Sequence, residues 1–133
     1  MAVVVGVLLA LSVGLMATSV GLDRDRALYP AVTMVVASYY ALFAVMGAST
    51  QTLVLETLVA AVFVALSLVG FRSSLWTVAL ALAMHGVFDV VHGRIIANPG
   101  VPAWWPSWCL AYDVTAAAYL AWRLKSGRIR SAI

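Results

Sequence analysis

The sequence predicts an all-α integral membrane protein, a compact bundle of five transmembrane helices with its N-terminus outside and its C-terminus in the cytoplasm. Three observations carry that prediction. Of the 133 residues, 65% are hydrophobic and 10% are charged, whereas a soluble domain carries about 25% charged residues. The mean hydropathy is +1.05, and so few charges cannot clothe a surface in water. The apolar residues fall into five runs, each of a length that matches a hydrocarbon core about 30 Å thick. Finally, the basic residues are distributed very unevenly between the two ends of such a bundle.

The first span runs from Ala2 to Leu22 and is closed by Asp23-Arg24-Asp25-Arg26. Met1 to Val20 lacks a basic leader, and its apolar run is longer than the roughly 7–15 residues of a secretory signal, so it reads as a mature helix. Gly6, Ala10 and Gly14 recur every fourth residue and form a small-residue stripe suited to close packing against a neighbouring helix. The second span, Leu28 to Gly47, has Pro30 in its first turn, where a missing N–H costs little. Ala48 to Thr52 form a short polar turn before the third span, Leu53 to Gly70. Phe71-Arg72-Ser73-Ser74 is a tight loop, with Ser73 or Ser74 as N-cap of the fourth span, Leu75 to Ala97. A loop from Asn98 to Ser107, rich in Pro and Trp, leads to the fifth span, Trp108 to Leu124, and a basic tail. All of this forms a single domain over residues 1–133, with no internal repeat.

With five spans, the loops after the first and third share a side with the C-terminus. That side holds Arg24, Arg26, Arg72, Arg123, Lys125, Arg128 and Arg130, leaving Arg94 alone on the other. The positive-inside rule makes the basic side cytoplasmic, and the expected location is the inner (plasma) membrane. The net charge of +3 therefore reflects orientation and calls for no nucleic-acid partner. Trp104, Trp105 and Trp108 mark the outer interface, and Trp76 and Trp122 the inner one. The lone cysteine, Cys109, excludes an intrachain disulfide and any CxxC motif.

Against this apolar background the ionisable residues inside the spans stand out. Asp23 and Asp25 read as a solvated turn among arginines, but Glu56, Asp89 and Asp113 fall within spans. Each costs about 2.5–3.5 kcal/mol at a helix centre, and intramembrane ionisable groups mark functional sites by default. His85, Asp89 and His92, at i, i+4 and i+7, lie within roughly 40° of each other around one helix. Glu56, Asp113 and this triplet come from three helices, yet they sit at similar depth in the outer half of the membrane. The expectation is one site formed by His85, Asp89, His92, Glu56 and Asp113. Three carboxylates against Arg94 leave it about two positive charges short, which a divalent cation supplies. Imidazole and carboxylate ligands suit Zn²⁺, Fe²⁺ or Mn²⁺. Cys109, four residues before Asp113, shares its face and is either a peripheral ligand or a small buried hydrophobe. Without a metal, one or two protonated carboxylates serve as general acids beside a histidine base. The Pro- and Trp-rich loop above the site is either a lid or an ordinary interfacial turn. Tyr39 and Tyr40 lie about two turns into the second span, within reach of the site but suited mainly to packing.

The pattern His85-Gly-Val-Phe-Asp89 resembles the His-x-x-x-Glu of sterol isomerases of the emopamil-binding type, also five-helix membrane proteins, with Asp in place of Glu. That resemblance implies an isomerase in which a carboxylate–histidine pair moves a proton. Two histidines in the chain exclude the many-histidine di-iron chemistry of membrane desaturases. Three functional expectations follow. The first is a membrane-embedded hydrolase or isomerase acting on a lipid or isoprenoid-like substrate, with all five site residues as catalytic groups or metal ligands. The second is a proton or divalent-cation carrier or channel component. The third is a non-catalytic accessory subunit of a larger membrane complex, or a homo-oligomer, whose polar cluster is tightly paired.

Overall fold

The computed structural model describes residues 1–133. The chain is all-helical: α1 (Ala2–Val20), α2 (Leu28–Gly47), α3 (Thr50–Arg72), α4 (Leu75–Ile95) and α5 (Trp105–Lys125). Helices α1 to α4 are long and apolar enough to cross a membrane. Helix α5 has the same length as α4 but is less apolar, since it carries Asp113, Arg123 and Lys125. Its place in the bundle accounts for this. It packs between α1 and α4, and 10 of its 21 residues are buried, Asp113 and Arg123 among them. Helix α1, at the edge, buries only Gly6, Ala10, Gly14 and Ala17.

The element ends depart from the sequence expectation in ways that have local causes. Helix α1 stops at Val20, two residues early, because Gly21 takes the left-handed conformation (φ +84°) and its N–H caps the Ala17 carbonyl. Helix α3 begins at Thr50 and is capped by the Ser49 hydroxyl, which accepts from the Thr52 N–H. Ser74 is the residue that caps α4, while Ser73 closes α3 by donating to the Val69 carbonyl. Helix α5 starts at Trp105, three residues before the expected Trp108, because Pro106 is tolerated in a first turn.

The small-residue stripe of α1 is used within the chain. A Cβ on Gly6 would overlap the Trp108 carbonyl of α5, and one on Gly14 would press on the Tyr119 ring. The basic tail is not free: Leu75 N–H bonds the Ser131 carbonyl at 2.7 Å, Ile129 is buried, and Arg26 donates to the carbonyls of Arg130 and Phe71. The reading of Asp23 as solvated is corrected. It is 1% exposed, accepts from Thr18 Oγ1 at 2.9 Å, and pairs with Arg123 at 3.2 Å. The Gly21 turn swings it back against α5, so the pair ties the end of α1 to the end of α5. Trp105 also departs from its expected place at the interface. It is buried against Tyr39 and Phe43, with ring centroids 4.7 and 5.0 Å away, while Trp104, Trp76 and Trp122 stay exposed.

Candidate metal centre

Four helices deliver polar side chains to one end of the bundle, the end that carries the α2–α3 and α4–α5 loops. Counting about 1.5 Å per residue from that end, Glu56 on α3, Asp89 on α4 and Tyr40 on α2 each lie roughly 10 Å in. Asp113 on α5 and His85 on α4 lie a few ångströms deeper. All five sequence-predicted site residues are buried: Glu56, His85 and Asp89 at 1%, His92 at 2% and Asp113 at 0% exposure. The structure divides them into two adjoining groups.

The deeper group is centred on His85, whose Nδ1 lies 2.6 Å from Asp113 Oδ2 and 3.8 Å from Asp89 Oδ2. The Cys109 thiol donates toward Asp113 Oδ2 at 3.7 Å. One ligand atom from each of His85, Asp89, Cys109 and Asp113 lies within 4.8 Å of all the others, and all four residues are buried. Nitrogen, oxygen and sulfur donors in tetrahedral array around Zn²⁺ sit about 2.0–2.3 Å from the ion, which puts them about 3.3–3.8 Å from each other. The group is thus close to a closed four-ligand set before any rearrangement. Two of its carboxylate oxygens, Asp89 Oδ2 and Asp113 Oδ1, are buried with no hydrogen-bond donor. Buried polar atoms are nearly always satisfied, and an orphaned one calls for an ion or a water. Ionised, Asp89 and Asp113 would supply the two negative charges that a divalent cation neutralises.

The shallower group is a pair. His92 Nε2 meets Glu56 Oε1 at 2.7 Å. The Asn98 amide donates to the same oxygen at 2.9 Å and to the Tyr40 carbonyl at 3.0 Å. Glu56 Oε2 is buried without a partner. Tyr40 joins the two groups: its hydroxyl donates to Asp89 Oδ1 at 2.6 Å, and its ring stacks on His92 at 3.8 Å between centroids. Phe63 packs edge-on against His85, and Phe88 edge-on against His92, forming an apolar wall around the polar core.

Arg94 does not take part. It is exposed, so the charge balance inferred from sequence changes, and the three carboxyls face only histidines as basic partners. Cys109, weighed as peripheral, is 0% exposed and belongs to the deeper group. Sequence reasoning gave Tyr40 a packing role and Asn98 none. The depth comparison that gathered Glu56, Asp89 and Asp113 also places Tyr40 level with Asp89. Asn98 carries no such signal, because its position depends on the loop's path. That path is fixed where Gly100 passes so close to α2 that a Cβ would overlap the Phe43 carbonyl.

Two open clefts lie at this end of the bundle. One, of about 530 Å³, is lined by the α4–α5 loop together with His92 and Asn98. An apolar groove of about 450 Å³ runs between the start of α1 and Trp104, Trp105 and Trp108. No protein-family model, curated protein or solved structure matches the chain.

Proposed function

We propose that this chain is a small membrane-embedded enzyme that depends on a divalent metal and acts on a lipid or isoprenoid-like substrate. The metal would be held by His85, Asp89, Cys109 and Asp113. The observation that carries the reading is the convergence of these four donors around buried carboxylate oxygens that have no partner. Zinc suits the mixed nitrogen, oxygen and sulfur set best. In this reading all five helices span the membrane. The less apolar α5 is sheltered between α1 and α4, and the loop end with only Arg94 faces outward under the positive-inside rule. The centre then lies in the outer half of the plasma membrane, beside an apolar groove that offers room for a hydrocarbon chain.

A catalytic metal site keeps one position open, whereas four protein ligands close it. The Cys109 thiol, 3.7 Å from Asp113 Oδ2, is held less closely than His85, which lies 2.6 Å from the same oxygen, and is the ligand that would yield. The metal would supply an activated water for hydrolysis or a Lewis acid for isomerisation. His92 and Glu56, one layer nearer the loops, would hold or pass a proton between the centre and the cleft. A carrier role is disfavoured because the polar chain does not continue toward the other end, where the buried hydroxyls of Thr33 and Ser67 are bonded to their own helix carbonyls.

Elemental analysis of the purified protein tests this directly. About one equivalent of metal is expected in the wild type, with loss in both His85→Ala and Asp89→Ala. The absence of metal from a folded wild type would sink the reading. An accessory-subunit role has a specific observation of its own: each carboxylate already bonds a side chain on another helix, Asp89 to Tyr40, Asp113 to His85 and Glu56 to His92. For that role the polar groups only pin helices together, so folding would fail in the alanine variants whether or not metal is supplied.

A further inference from the structure

We propose that Glu56, His92 and Asn98 form a capture site through which a divalent cation enters the protein on its way to the His85 cluster. This rests on the metal reading of that cluster. The cluster residues are all 0–1% exposed, so an ion reaches them only through other parts of the chain. The large cleft at the loop end is lined by His92 and Asn98, and both of these side chains contact Glu56 Oε1. Other clefts on the bundle, such as those bordered by Trp104 and Trp105 or by Val3 and Leu110, are lined mainly by apolar side chains and offer a cation nothing to replace its water.

The capture site has the chemistry of a transient cation site. Glu56 is 1% exposed, and its Oε2 has no donor, so behind the His92 and Asn98 side chains that line the cleft a buried carboxyl oxygen is left unused. His92 adds a nitrogen ligand, and Asn98, whose side-chain oxygen accepts from Gly100 N–H, lines the cleft beside it. Two protein ligands of this kind hold a divalent ion more weakly than four, as passage requires. From Glu56 and His92 the next carboxylate is Asp89, one turn along α4 from His92. The Tyr40 ring lies on His92 and its hydroxyl on Asp89, so the phenol closes the step between the two groups. Rotation of that one side chain would open it.

The test is the rate of Co²⁺ uptake by the full chain, purified in detergent and stripped with a chelator. Uptake is followed through the thiolate-to-cobalt absorption that Cys109 produces on ligation. Glu56→Gln is expected to load at least tenfold more slowly than wild type, to reach the same final Co²⁺ content, and to release the ion to chelator more slowly as well, because a gate acts in both directions. Asn98→Ala, which leaves the helices intact, is expected to slow both steps several-fold and guards against a misfolded Glu56 variant. Wild-type loading rates in both variants would overturn the proposal. So would faster release, which marks a lost ligand at the final site rather than a lost entry point. A folded wild type that takes up no Co²⁺ would overturn the metal reading itself, a failure distinct from unchanged rates.

Discussion

At the residue scale, the centre combines groups with separable tasks. Asp113 touches both His85 and Cys109, so Asp113→Asn removes a ligand charge and disturbs two others. It is expected to abolish stoichiometric metal binding, measured by elemental analysis after purification. Tyr40 touches the cluster only through Asp89. Tyr40→Phe is expected to leave metal content near wild type while lowering stability by about 1–3 kcal/mol, the cost of an unsatisfied buried acceptor, read from unfolding in detergent. Loss of metal in that variant would show that the phenol does more than position the carboxylate. The burial of Glu56, His85, Asp89, His92 and Asp113 toward one end of the bundle was legible in the sequence because ionisable groups in apolar spans are rare, and counting residues from the helix ends gives their depth. The split into two groups was not legible, since it depends on rotations about helix axes that depth does not fix. For Cys109 both sequence alternatives stay open: it is buried in the apolar core and its sulfur also lies among the cluster's donor atoms.

At the element scale, the small-residue stripe of α1 and the Asp23–Arg123 pair hold the edge helix to α5 at two levels. Gly6→Ala places a methyl group against the Trp108 carbonyl. Overpacking of this kind costs about 1–3 kcal/mol, and thermal unfolding should register it with the metal site unchanged. Asp23→Asn leaves Arg123 without its buried partner, and breaking such a pair costs about 3–5 kcal/mol. A change under about 0.5 kcal/mol would mean that the pair is solvated, as an isolated surface bridge is. The four most apolar helices were clear from composition; α2 has the expected bounds, while the end of α1, both ends of α3 and the end of α4 shift by two or three residues. Asp23 was misread because it is flanked by arginines in a polar run. Only the Gly21 turn, a backbone event, brings its carboxylate under α5.

At the scale of the whole molecule, the bundle has two polar regions separated by an apolar middle. The His85 cluster lies at the loop end with one basic residue, and the Asp23–Arg123 tie lies at the end that gathers the other seven. The proposed topology predicts that, in a Cys109→Ser background, Ser49→Cys is labelled in intact cells by a membrane-impermeant thiol reagent, whereas Ser126→Cys is labelled only after permeabilisation. The reverse pattern would invert the bundle and put the centre on the cytoplasmic side. Both positions are exposed, so access to the reagent depends on sidedness alone.

The central claim is that His85, Asp89, Cys109 and Asp113 bind one divalent ion. X-ray absorption at the edge of the metal that copurifies with the protein tests it most directly. The account predicts a four-coordinate centre with one sulfur at about 2.3 Å and three nitrogen or oxygen ligands at about 2.0–2.2 Å, with the sulfur shell replaced by oxygen in Cys109→Ser. A bound metal with no sulfur shell, or a spectrum unchanged by Cys109→Ser and by Asp113→Asn, would contradict it.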